Sequence, residues 1–343
     1  MWAVSRFDYR RLQHPAATYT LYGGTLLMLL ACVAGLGKRV GGAARWIAVG
    51  PVNIQPAELA KVALVAWLAY SLAKKGDQVK TFKVGFVPHF VAAGLMILLL
   101  LKQPDLGSSV VLLLLTFALL VAAGAKSGHV IGAGIAGVGA VVLLVLSREY
   151  RMARLAAFLD MEHHRQDVAY QPFQSVMSFG SGGTLGLGLG RGLQTLYLPE
   201  AHTDFIAAIV GEELGFIGVL GLVGTYLLLV SRGIKIALEA DDDYGSYLAF
   251  GLSTLFGIQV LVNLAVAMAI VPTKGLTLPF LSYGGSSLLV NAAAVGVLLS
   301  ISRKRNRGAV EIGDAAPPPA PTGPEPDATA HVLAATSREE ALG

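Results

Sequence analysis

Residues 197–205 read Tyr197-Leu-Pro-Glu-Ala-His-Thr-Asp-Phe205 and run directly into an apolar stretch that continues to about residue 230. Glu200, His202 and Asp204 therefore stand at the threshold of a segment long enough to cross a bilayer. Charged groups at the edge of hydrocarbon are costly, and they are kept where they handle protons, ions or substrates. The stretch sets two expectations together: a membrane-spanning helix, and a working site where that helix begins.

The rest of the chain has the same character. Of its 343 residues, 54% are hydrophobic and 14% are charged, against roughly 25% charged in soluble domains. Apolar runs fall at residues 17–36, 57–73, 84–101, 107–124, 130–147, 205–230, 246–271 and 286–302. The expected fold is an all-α polytopic membrane protein with about eight transmembrane helices. The one cysteine, Cys32, excludes an intramolecular disulfide and a cysteine-built metal site. The net charge of +4 says little until the basic residues are sorted by membrane side.

That sorting is one-sided. Short loops on one side carry Arg6, Arg10, Arg11, Lys74, Lys75, Lys80, Lys83, Lys126, Arg232, Lys235, Arg303, Lys304, Arg305 and Arg307, whereas the other side has Lys38, Arg39, Arg45, Lys102 and Lys274. The positive-inside bias then predicts cytoplasmic termini and an external segment over 148–204. That segment is expected to be a long loop with no clear element of its own. It holds a glycine-rich stretch, Gly180 to Gly192, which looks like a phosphate loop but lacks a preceding strand. Two readings stay open for it: a tightly turning loop, or backbone N–H donors for a diphosphate. From Gly308 to Gly343 the chain is rich in Pro and Ala and reads as a disordered tail.

Several polar residues need explaining. Pro56 suits a first helical turn, which places Glu58 and Lys61 on one face as a buried packing pair or as substrate contacts. Trp46 reads as an interfacial aromatic or a site residue. Asp105 either caps the next helix or faces the site. Glu212 and Glu213 lie inside the apolar run, where at least one must face a polar cavity or a basic partner. For Asp204 the ordinary reading is a helix N-terminal residue with Thr203 as cap; the functional one is a carboxylate of raised pKa acting as a base. His163 and His164 read as a solvated face.

Gly42-Ala-Ala-Arg-Trp-Ile47, Gln55-Pro-Ala-Glu-Leu-Ala-Lys61, Gln103-Pro-Asp-Leu-Gly107, Pro199-Glu-Ala-His-Thr-Asp-Phe205 and Leu281-Ser-Tyr-Gly-Gly-Ser-Ser287 occur in that order. In this respect the chain resembles the SEDS (shape, elongation, division and sporulation) family of peptidoglycan glycosyltransferases from about Phe7 to Arg303, which implies a transmembrane domain over residues 1–307. Tyr170-Gln-Pro-Phe-Gln-Ser175 and Pro272-Thr-Lys-Gly275 are similar to the division-type rather than the elongation-type member. The resemblance implies an inverting enzyme that polymerises lipid II for septal cell-wall synthesis, with Asp204 as catalytic base. It implies substrate-binding roles for Arg45, Trp46, Glu58, Lys61, Asp105, Gln171, Ser175, Glu200, His202, Lys274, Ser282 and Ser286. Arg45, Lys61 and Lys274 are the candidates to steady a leaving diphosphate.

It further implies a class B penicillin-binding transpeptidase and other division proteins as partners, no nucleic acid, and a place in the cytoplasmic (inner) membrane at the septum. No cofactor is required, and a divalent cation, Mg or Mn, is compatible with the chemistry. A lipid II flippase and a non-catalytic scaffold for the transpeptidase are the alternatives. The family has ten spans, and Trp2 to Arg11 look like the trailing end of its second span. The expectation is therefore a start assigned too far downstream, or else a shortened paralogue of poor stability.

Overall fold

The computed structural model describes residues 1–40, 43–50, 52–147 and 149–313. Its helices are α1 (Trp2–Ser5), α2 (Pro15–Val33), α3 (Pro56–Lys75), α4 (Val87–Lys102), α5 (Leu106–Ala122), α6 (Ser127–Leu146), α7 (Glu149–Leu159), α8 (Tyr170–Gly182), α9 (Ile206–Leu238), α10 (Asp243–Ala267) and α11 (Gly285–Gly313). Seven helical segments are long and apolar enough to span a membrane, and α5 is a shorter apolar eighth. They coincide with the eight apolar runs of the sequence.

The bundle is organised around α3, which packs against α2, α4, α5 and α10. Ala57, Ala60, Ala63, Ala66 and Ala69 recur every third residue along α3 and all are buried. Small side chains at this spacing let neighbouring helices approach closely, which drives association where lipid is as apolar as the protein. Gly251 of α10 meets this helix so tightly that a Cβ would lie 2.5 Å from Val65 Cγ1. In contrast, α6 has no buried residue and presents its apolar surface outward.

Residue pairs across the loops agree with the sidedness read from the charges. At one end Tyr9 donates to Asp242, Ser300 donates to the Phe7 carbonyl and Arg303 to the Ser5 carbonyl. At the other, Arg45 reaches the Gln103 and Pro104 carbonyls, Ser286 the Asn53 carbonyl, and Arg154 the Thr273 carbonyl.

Three expectations need correction. Lys38–Val40, Ala43–Val49 and Val52–Ile54 form a small antiparallel sheet of three strands, β1 to β3, in an otherwise helical chain. The segment 148–204 is not an element-free loop, since it contains α7, α8 and a 3-10 turn at Gln194–Leu196. Finally, α11 continues to Gly313, beyond the expected start of the tail; residues 314–343 lie outside the described residues.

The glycine-rich stretch has a structural task. Helix α9 is broken at Gly215 (φ 66°, ψ −165°), which strips partners from backbone groups on both sides of the break. Leu187 and Gly188 donate their N–H groups to the Glu212 and Glu213 carbonyls, at 3.0 and 2.9 Å. Phe216 and Ile217 donate to the Gly183 and Thr184 carbonyls in return. Unpaired backbone groups at membrane depth cost several kcal/mol each, so this strap is what permits the break. Those donors are consequently unavailable to a diphosphate, which removes that reading for them.

Gly186 (φ +80°) lies so close to the broken helix that a Cβ would sit 2.1 Å from the Glu213 carbonyl oxygen. Gly186→Ala is expected to destabilise the protein by roughly 2–5 kcal/mol through clash and left-handed strain. Gly190→Ala, at φ +70° in open space, loses only about 1 kcal/mol. Thermal unfolding in detergent distinguishes the two, and equal melting curves would refute the strap.

Candidate functional site

The site is assembled from four external segments. Asp204 lies in a turn two residues ahead of α9, whose N-cap is Phe205 with no side-chain cap. Thr203 does not cap the helix; its hydroxyl donates to the Glu200 carboxylate at 2.6 Å. Glu200 itself has φ +60°, so the turn is held in a sparsely populated conformation by its surroundings.

Those surroundings come mainly from the loop between α10 and α11. Asn263 donates to the Asp204 and Leu276 carbonyls at 2.9 and 2.6 Å, tying turn and loop to one amide. Ser282 donates to the Thr203 carbonyl at 2.5 Å, and the Tyr283 N–H to the His202 carbonyl at 2.8 Å. A Cβ on Gly275 would meet Asp204 Oδ2 at 2.8 Å, so the missing side chain leaves room for the carboxylate.

Charge gathers around this contact. Burial pushes the Asp204 carboxyl up to about 6; Glu200 and Asp105 push the same way, and Arg45 pulls back. Lys274, next to Gly275, is lowered to about 8 by burial and by Arg154 and Arg151, with Asp105 opposing. Arg154 donates to the Thr273 carbonyl at 3.2 Å, and Arg151 to the Leu144 carbonyl at 2.6 Å. Arg45 projects from β2 and clasps the α4–α5 turn through the Gln103 and Pro104 carbonyls at 3.0 and 2.9 Å. The site therefore holds a carboxylate together with several cations, and the ammonium of Lys274 is disfavoured there first by burial and then by like charge.

Glu200, Asp105 and Arg45 lie within electrostatic reach of Asp204, and Asp105 also within reach of Lys274. Other expected residues are differently engaged. Asp105 caps α5, accepting the Ser108 N–H at 3.0 Å, as the capping reading expects, and it also acts on Asp204 through charge. Glu58 and Lys61 form a buried pair at 2.8 Å, with one Glu58 oxygen unpartnered. Ser175 donates to the Ala267 carbonyl at 2.5 Å, and Ser286 to Asn53 while accepting the Gln55 N–H. These hydroxyls and that of Ser282 donate to backbone carbonyls and so hold loops.

Trp46 is half-buried on β2 opposite Lys38, Gln171 is half-buried in the first turn of α8, and His202 is exposed. The carboxylate of Glu212 is not turned to a basic partner: it is buried and accepts the Leu193 and Gln194 N–H groups at 2.9 and 3.1 Å. His163 pairs with Asp160 on an exposed face. Arg151 and Arg154 were missed by sequence reasoning, because only the docking of α7 brings them beside Lys274. The described residues gather no set of three His, Cys, Asp or Glu side chains able to hold a metal. Those residues do not fit a protein-built metal centre.

A polytopic helical bundle with seven helices long and apolar enough to cross a membrane among its described residues, and a buried carboxylate at one end, defines an integral membrane protein. Residues 1–307 match the profile of the FtsW/RodA/SpoVE family of cell cycle proteins, and the chain belongs to that family. It is 46% identical over 298 residues to a probable peptidoglycan glycosyltransferase FtsW of Trichlorobacter lovleyi, covering 87% of this chain and 78% of the relative. The corresponding protein of Geobacter sp. strain M18 is 47% identical over 291 residues, covering 84% and 79%.

Among solved structures, one reported under structural coordination of polymerization and crosslinking by a peptidoglycan synthase complex superposes with a TM-score of 0.73 at 32% identity, covering 88% of this chain and 85% of that one. The rod shape determining protein RodA of Thermus thermophilus superposes at 0.65 with 31% identity, covering 88% and 82%.

Proposed function

We propose that this chain is a peptidoglycan glycosyltransferase of the division type, which polymerises lipid II with inversion at the anomeric carbon and uses Asp204 as general base. The observation that carries the reading is Asp204, whose carboxyl burial pushes up to about 6 against the pull of Arg45, lying against Gly275 of the loop that carries Lys274. Such a carboxylate is ionised at neutral pH yet more basic than a free one. It takes the proton of the acceptor sugar's 4-hydroxyl as that oxygen bonds to the donor's anomeric carbon. The bond from that carbon to the diphosphate breaks, and undecaprenyl diphosphate leaves with the electron pair. In this reading Lys274, Arg154 and Arg45 stabilise the charge that develops there.

The reading includes a class B transpeptidase as partner, supported by the likeness to a synthase complex that couples polymerization to crosslinking. It also includes other division proteins, a septal location in the inner membrane, and cytoplasmic termini, the last supported by the basic surplus on one side.

A pH dependence follows. Asp204 must be deprotonated and Lys274 protonated, so kcat/KM should rise with pH through about 6 and fall through about 8. Lys274→Arg should keep the acid limb and abolish the alkaline one, because the guanidinium stays charged. Initial rates on fluorescent lipid II across pH 5–9.5 read this, and an alkaline limb unchanged in Lys274→Arg would remove that lysine from the mechanism.

A further inference from the structure

The end of the bundle opposite Asp204 carries two adjoining cavities of about 560 and 400 Å³, which share Arg10 and His14. Arg11 and the first turn of α2 complete the first, and Tyr70 and Lys74 of α3 complete the second. The charge on these walls is unbalanced. Asp8 is the one acidic lining residue, and Arg10 is already turned to Asp242 at 3.6 Å.

Arg11 and Lys74 lie against ring faces, those of Phe7 at 5.6 Å and Tyr70 at 5.8 Å. Among the described residues neither has a carboxylate within ion-pair distance, and neither takes part in the proposed chemistry. The N-cap of α2, His14, makes no side-chain capping bond. The positive end of that helix thus adds to the same field.

An apolar track leads away from the cavities. Tyr70 meets Tyr19 of α2 edge-on at 6.0 Å. From Tyr19 the outer surface of α2 continues through Leu27 and Leu30, the three being 54%, 66% and 49% exposed. A tyrosine pair beside basic residues at a helix end is the arrangement expected at the level of lipid headgroups. A free anion would use the cations and leave the track bare, whereas a phospholipid uses both.

We infer that this basic groove binds the headgroup of an anionic phospholipid, with its phosphate between Arg11 and Lys74 and its acyl chains along the Tyr19–Leu30 face of α2. Basic pockets between transmembrane helices have the field strength for such recognition, and two interfacial cations contribute roughly 10- to 30-fold in affinity.

The test is lipid retention by the purified full chain, followed by native mass spectrometry with added phosphatidylglycerol or phosphatidylethanolamine. Wild type should retain phosphatidylglycerol preferentially, and Arg11→Ala/Lys74→Ala should lower that retention roughly 10- to 30-fold with phosphatidylethanolamine unchanged. In wild type alone, raising NaCl from 50 to 500 mM should weaken phosphatidylglycerol and not phosphatidylethanolamine, a readout independent of how the variant folds. Equal retention by variant and wild type, or no salt effect, would overturn the site. Displacement of phosphatidylglycerol by millimolar inorganic phosphate would overturn its assignment to lipid.

Discussion

Asp204→Asn is expected to lower glycan-strand formation by about 10³-fold or more while leaving a folded and more stable protein. The amide keeps the shape of the carboxylate beside Gly275 but accepts no proton. The stability gain follows from the direction of the shift. The folded pKa of about 6 lies above the ordinary 3.8, so the native state holds the proton more tightly and pays a desolvation penalty once ionised. That penalty is absent below pH 4, grows as pH rises through 6 and is complete above it.

Discounted for partial exposure, it amounts to about 1–2 kcal/mol, so the variant should melt a few degrees higher at pH 7.5 and at the same temperature as wild type at pH 4. Labelled lipid II polymerisation by the complex with the cognate transpeptidase, alongside thermal unfolding, measures both. Full polymerisation by the variant would transfer the role to another residue, and no polymer from either protein with the complex folded would favour the scaffold. Lipid II movement into liposomes, insensitive to this substitution, would favour a flippase.

Lys61→Met is expected to be the most destabilising single change in the core, by about 3–5 kcal/mol. Lys61 and Glu58 are nearly inaccessible and bond at 2.8 Å, and the second Glu58 oxygen has no partner. Removing the ammonium strands a carboxylate among the alanines of α3. Glu58→Gln/Lys61→Met should recover most of the loss, because both charges leave together. Denaturant or thermal unfolding of the two single variants and the double variant gives the coupling. Polymerisation by the double variant separates two roles for the pair: recovered stability with recovered activity marks a packing device, and recovered stability without activity marks a substrate contact.

The apolar runs were legible because spanning helices are dictated by composition over about 20 residues, whatever their neighbours. All eight are present, and the charges that sort the loops agree with the pairs that form across them. Asp105 as a cap and Pro56 as a first-turn residue were also legible, since both depend on adjacent backbone alone. The glycine-rich stretch was not. Its composition permits either a flexible turn or an anion cradle, and the choice rests on a break at Gly215 that no local signal reveals. Likewise Glu212 finds backbone N–H donors 18 and 19 residues away, where the sequence suggested a basic partner or a polar cavity.

What the sequence determined by itself was the membrane architecture and the place of Asp204 at the edge of a span, because hydrophobic length and a carboxylate at the edge of hydrocarbon are local properties. Tertiary structure decided which charges gather at that end of the bundle. Arg45 on a small sheet, Lys274 on the last external loop and Arg154 on α7 lie far apart in the chain. They converge only because Asn263, Ser282 and Arg154 bond loop backbone across the bundle end. Electrostatic shifts depend on distances through space, and those distances exist only once the helices have packed.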